Sequence, residues 1–244
     1  MKQLVALAAG IFFTLSARAQ NAQELKNEVI TASSHTIKEQ RQTEAYNALD
    51  ITGPFEVTIT RHNSNQITIN GPENITPLVL SEVKEGTLYI SLQKNLTIEP
   101  GRHNKISIEI PYKEFTTIAL NGSGSIASGK TFKNDIVFKL NGGGNMDFYL
   151  YANSTQAKVY GSGSITLRGY CKHTSLDLTG SGVIDTKRLE TRTVEAYLTG
   201  SGKLNVMSND KITGRINGTG TIAFTGEPEN QDLKCIGSGT FEVF

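Results

Sequence analysis

What the chain lacks narrows it first. Charge of either sign is missing as an excess: 24 Lys and Arg stand against 23 Asp and Glu, a net charge of +1. That balance gives no field to draw the protein to nucleic acid or to an anionic membrane. After the first 19 residues no stretch approaches the ~20 apolar residues a membrane-spanning helix needs. The residue directly after Ala19 is Gln20 and not cysteine, so a lipoprotein anchor is not supported at that point. The four histidines, His35, His62, His103 and His173, show no ligand spacing, so zinc is not supported. Tryptophan is absent, while glycine is abundant at 24 residues and Thr, Ser and Asn are frequent. This is the composition of a β-rich chain with many corners. At 244 residues with 37% apolar content, it is long enough to bury a sizeable core.

What is present is a repeat. Asn121-Gly122-Ser123-Gly124 returns as Asn141-Gly142-Gly143-Gly144, Tyr160-Gly161-Ser162-Gly163 and Thr179-Gly180-Ser181-Gly182. It returns again as Thr199-Gly200-Ser201-Gly202, Asn217-Gly218-Thr219-Gly220 and Ile236-Gly237-Ser238-Gly239. The first glycines lie 20, 19, 19, 20, 18 and 19 residues apart. A fixed period of that length signals stacked units, each too small to bury its own apolar face.

The flanking columns keep phase. Two residues before each first glycine stand Leu120, Leu140, Val159, Leu178, Leu198, Ile216 and Cys235. Four residues after it stand Ile126, Met146, Ile165, Ile184, Leu204, Ile222 and Phe241. Polar residues such as Lys139, Asp177, Asp147 and Asp185 fall between the apolar ones. That period of two is the pattern of a half-buried strand. Each repeat therefore reads as strand, Gly-x-Gly corner, strand, and a variable loop of about eight residues before the next copy. Strands in identical phase stack in parallel, so the expected fold is all-β: a single-stranded parallel β-helix with rungs of about 19 residues. Parallel crossovers make its hand right-handed. A propeller needs blades of about 40 residues, twice this period.

These repeats, led in by Lys105-Ile106-Ser107-Ile108-Glu109-Ile110-Pro111 and Phe115-Thr116-Thr117-Ile118, resemble the putative auto-transporter adhesin family with a head GIN domain. The run Gly53-Pro54-Phe55-Glu56-Val57-Thr58-Ile59 fits that family's opening, and the likeness covers roughly residues 45–240. The resemblance implies a pectin-lyase-like β-helix, no catalytic residues, and a role in cell adhesion.

In chain order, Lys2, the apolar run Leu4 to Leu15, and Ala17-Arg18-Ala19 form a signal peptide over residues 1–19, cleaved near Ala19. The mature protein is expected in the periplasm or outside the cell. Residues 20–44 are a polar leader without strand alternation, in which Asn21 and Glu24 could box a short helix over Glu24–Ile30. Residues 45–244 read as one β-helix domain, with irregular rungs over 45–118 and the seven repeats over 119–244. Excursions are expected near 72–86 and 93–104, and a separate β-sandwich over 45–118 is the alternative. The last rung has nothing to cover it, so self-association of two copies through that end is expected.

No copy of the motif opens a helix in the G-x-G-x-x-G manner, so phosphate binding is set aside and no cofactor is expected. Gly142-Gly143-Gly144-Asn145-Met146-Asp147 echoes a calcium-binding β-roll, but the period is double and the Asp is not repeated in adjacent rungs, so no metal is expected. Cys171, in a loop, and Cys235, in the inward column, lie about three rungs (~14 Å) apart. Both should be free thiols, Cys235 as a small core residue. Asp147 and Asp185 share an outward phase two rungs apart, ~9–10 Å, near the limit for an inverting glycosidase pair. Thr166 lies between them and no Arg or Lys is expected on that face, so a polysaccharide lyase or hydrolase is the alternative and a non-enzymatic surface-binding protein the main reading. Tyr151 and Tyr170 occupy one loop phase in adjacent rungs, about 5 Å apart, with Tyr149 and Tyr160 near in sequence. These four are the candidate contacts to a surface ligand, carbohydrate or protein, because an aromatic face with a polar tip suits sugar rings.

Overall fold

The computed structural model describes residues 28–61, 64–94, 96–99 and 105–244. The signal segment, the Asn21 and Glu24 box, and His62 and His103 lie outside them. The chain is an all-β parallel solenoid with coils of 18 to 20 residues.

The glycine period decides the register. Leu120 pairs with Leu140, Leu140 with Val159, Val159 with Leu178, Leu178 with Leu198, Leu198 with Ile216, and Ile216 with Cys235. The second column runs through Ile126, Met146, Ile165, Ile184, Leu204, Ile222 and Phe241 in the same way. Every member except Cys235 and Phe241 is buried. Each such side chain contributes roughly 1.5–3 kcal/mol over leaving it in water, so the ladders are the main source of cohesion.

The corners explain the glycines. At Gly180 the backbone takes φ +128, and a Cβ there would sit 2.3 Å from the Gly161 carbonyl oxygen of the coil below. That carbonyl is held closely because the N–H groups of Ser181 and Gly182 both donate to it, at 3.0 Å each. Only glycine permits this conformation and this approach.

Between the corners the structure differs from expectation. The central coils contain no eight-residue loop: Asn145–Gly161, Ser164–Gly180 and Val183–Gly200 are uninterrupted strands. Inward alternation continues through Phe148, Leu150 and Ala152, then slips by one at Asn153 and Ser154, which both face out. Lys172-His173 does the same one coil on. This second corner has no glycine. Asp135 secures it, its Oδ1 accepting from the N–H groups of Asn153 (3.0 Å) and Ser154 (2.9 Å).

The region before the repeats joins the same stack but out of sequence order. Ala48–Thr52 lies between Thr87–Leu92 and Thr117–Gly122, and Glu56–Thr60 lies between Ser107–Pro111 and Ser125–Phe132. The coil earlier in the chain is therefore second in space. Antiparallel strands close that end. Val79–Lys84 and Thr87–Leu92 form a hairpin through Glu85 (φ 49) and Gly86 (φ 73), the left-handed pair a tight primed turn requires. This hairpin and a 3₁₀ turn at Thr76–Leu78 fill the expected excursion near 72–86. Gln66–Pro72 pairs antiparallel with both Ser107–Pro111 and Thr36–Gln42.

Thr36–Gln42 corrects the reading of the polar leader, as does Glu28–Ile30, which is a strand beside Leu96–Ile98 and not the end of a helix. The alternation in Thr36–Gln42 escapes a hydropathy scan because its half-buried face carries Ile37, Glu39 and Arg41. Arg41 is paired with Glu39 at 2.8 Å and donates to the carbonyls of Val79 and Thr76, which ties the strand to the closing layer. At the opposite end Asn230–Gly237 and Thr240–Val243 have a strand partner on one side only among the described residues.

A tyrosine and arginine face as the candidate ligand site

The solenoid converts sequence phase into position. On the outward face of the central coils three columns lie side by side. Asp147, Thr166 and Asp185 form one; Tyr149, Arg168 and Arg188 the next; Tyr151, Tyr170 and Glu190 the third. Because the strands are uninterrupted, the tyrosines stand on sheet and not on loops, which corrects their expected setting. Tyr151 and Tyr170 have ring centroids 5.1 Å apart at 31°. Tyr151 is 62% exposed and Tyr149 49%, large values for aromatic rings that the fold does not use as core.

Cations share this face, contrary to the sequence expectation. The Arg168 guanidinium lies over the Tyr149 ring, 5.3 Å from its centroid, and donates to Asp147. That carboxylate beside it raises Arg168 above the usual arginine range. The cation and ring fix each other's orientation by the attraction of a charge for the ring face. One coil on, the register slips between Thr166 and Arg168 on one strand and Asp185 and Arg188 on the next. Thr186 points inward and is buried, so Lys187 and Arg188 both face out. This is a β-bulge, a device that re-aims side chains. Lys187 N–H donates to Asp185 Oδ1 at 3.1 Å and closes it. The bulge leaves a shallow hollow of about 230 Å³ lined by Thr166, Leu167, Arg168, Asp185, Lys187 and Arg188.

Tyr160 does not join the group. It stands in the column of Asn141 and Thr179, beyond the corner at Asn153 and Ser154, on another side of the coil. Asp147 and Asp185 do share a column with Thr166 between them, and each is engaged by a cation, Asp147 by Arg168 and Asp185 by Lys187 at 3.4 Å. They form part of a charge ladder. His173 Nδ1 lies 2.6 Å from Thr193 Oγ1. Among the described residues no group of three or more His, Cys, Asp or Glu is placed to hold a metal ion.

The two thiols are free, with their settings exchanged relative to expectation. Cys171 is buried in Ser164–Gly180, where burial pushes its thiol up from the ordinary value. Cys235 keeps its place in the inward column but is exposed, because no further coil stacks on it among the described residues.

The outward face of this parallel β-solenoid carries unburied tyrosines and arginines. The chain belongs to the family described as "Putative auto-transporter adhesin, head GIN domain", whose model matches residues 45–228. Solved structures share the fold. A putative adhesin from Bacteroides fragilis NCTC 9343 is 24% identical with a TM-score of 0.80, covering 88% of this chain and 100% of its own. A putative lipid binding protein from Parabacteroides distasonis ATCC 8503 is 20% identical with a TM-score of 0.73, covering 89% and 100%. A putative adhesin from Parabacteroides merdae ATCC 43184 is 19% identical with a TM-score of 0.68, covering 88% and 99%. Comparison with curated proteins finds no match.

Proposed function

We propose that the protein is an exported, non-catalytic, adhesin-like binding protein of the cell envelope that recognises a surface glycan through Tyr149, Tyr151, Tyr170 and Arg168. The N-terminal apolar segment supports the export reading, with the mature chain in the periplasm or outside the cell. Family membership supports adhesion. The observation that carries the glycan reading is the pairing of exposed Tyr151 with half-buried Tyr170, their rings 5.1 Å apart on adjacent coils of a rigid sheet. A ladder holds such rings in place before a ligand arrives, so little ordering entropy is lost on binding.

A glycan array with the purified mature protein, followed by titration of the best ligand, tests this. Replacing Tyr151 and Tyr170 together by alanine should weaken binding about tenfold or more, since each aromatic contact is worth roughly 0.5–1.5 kcal/mol. The circular dichroism spectrum and melting temperature should hold, because both rings lie outside the core. Unchanged affinity in the double variant would remove the tyrosine face from the account.

A further inference from the structure

The bulge beside the tyrosines does something the tyrosines do not explain. Strict alternation would have put one residue outward where Lys187 and Arg188 both now stand. Of the three cations around the hollow, Arg168 is engaged by Asp147 and Lys187 by Asp185. Arg188 is exposed and has no ion-pair partner among the described residues. Its guanidinium carries five N–H donors in a fixed fork that matches a carboxylate or sulfate. The hollow, at about 230 Å³, is smaller than the ~300–1,000 Å³ of a site that encloses a whole drug-sized ligand. It suits one charged substituent entering from a molecule that lies mostly on the surface.

Arg168 stands two residues before Tyr170 on the same strand, and Arg188 stands beside Arg168 on the next coil. A sugar ring stacked on Tyr151 and Tyr170 therefore has its neighbouring unit over Arg168 and Arg188, roughly 5–7 Å away by strand geometry. A neutral glycan would leave Arg188 unused. An anionic one would give it the partner that its two neighbouring cations already have.

Building on the glycan reading above, we infer that the ligand is an acidic glycan. The Arg188 side chain and the bulge hollow form its subsite for an anionic substituent, a uronate carboxylate or a sulfate, next to the stacking platform of Tyr151 and Tyr170. The bulge sets specificity and the tyrosines supply sequence-tolerant contact.

The test uses the full mature chain and defined probes: a hyaluronate tetrasaccharide and its carboxyl-reduced form, and a carboxyl-reduced chondroitin sulfate tetrasaccharide with its desulfated form. Calorimetric titration should show the charged member of at least one pair binding about tenfold or more tighter than its neutral partner. Which pair shows it identifies the anion. Arg188→Ala should erase the preference, bringing the charged probe to the affinity of the neutral one. Arg188→Lys should keep part of it, and the preference should shrink as salt rises. The side chain is exposed, so both variants should melt with wild type. Equal affinity for charged and neutral probes, or a preference that survives Arg188→Ala, overturns the inference. Tyrosine-dependent binding of neutral probes alone would do so while leaving the glycan reading intact. No tyrosine-dependent binding of any probe or array glycan would sink both.

Discussion

Gly180→Val should abolish the cooperative fold or destabilise it by about 4 kcal/mol or more. Two costs combine. A β-branched residue at φ +128 is strained by roughly 1–3 kcal/mol. Its Cβ would also lie 2.3 Å from the Gly161 carbonyl oxygen, a backbone atom that cannot rotate away. Relief would require lifting one coil off the next, breaking the two hydrogen bonds that Ser181 and Gly182 donate to that carbonyl. Chemical denaturation monitored by circular dichroism gives the readout. Gly129 supplies the control: nothing lies within 4 Å of a Cβ placed there and its φ is not positive, so Gly129→Ala should be neutral. A Gly180→Val protein as stable as wild type would contradict the corner assignment.

Leu178→Ala should cost about 2–5 kcal/mol, the range for deleting most of a fully buried leucine. Leu178 has zero exposure and is stacked between Val159 and Leu198, so neighbouring coils would have to collapse vertically to fill the cavity. The hydrogen-bonded ladder holds the coils at fixed spacing and resists that collapse, which favours the upper half of the range. Thr179→Ala, one residue on and facing outward, should change stability by less than about 0.5 kcal/mol. If the two substitutions cost the same, the inward column does not supply the cohesion assigned to it.

How much of this was legible in the sequence follows from which signal each feature uses. The inward columns were legible because the glycines fix the phase and every column member is apolar. Thr36–Gln42 was not, because its half-buried face is Ile37, Glu39 and Arg41, satisfied by ion pair and backbone contacts that hydropathy does not register. The order of the first coils was hidden as well. Strand patterns in Ala48–Thr52 and Thr87–Leu92 look alike, and nothing local says which lies outermost. The second corner lacks glycine and rests on Asp135, 18 residues from Asn153, so it read as loop. That misreading concealed the site. Once the strands run on past the glycine corner, Arg168 falls beside Tyr149 by counting alone, seven residues after Gly161 and Gly142 respectively. Arg188 does not fall into line by counting, because the bulge inserts one residue before it.

The ligand face depends on Tyr151 and Tyr170 being nearest neighbours on adjacent coils, with Glu190 one coil further. Cysteine cross-linking measures this directly. In a Cys235→Ser background, Tyr151→Cys with Tyr170→Cys should oxidise to an intramolecular disulfide, since paired positions on adjacent parallel strands lie ~4.8 Å apart, within the ~4.4–6.8 Å a disulfide spans. Tyr151→Cys with Glu190→Cys, two coils apart at ~9.6 Å, should stay reduced. Rapid bridging of the 151–190 pair with none at 151–170 would contradict the register and the binding face built on it.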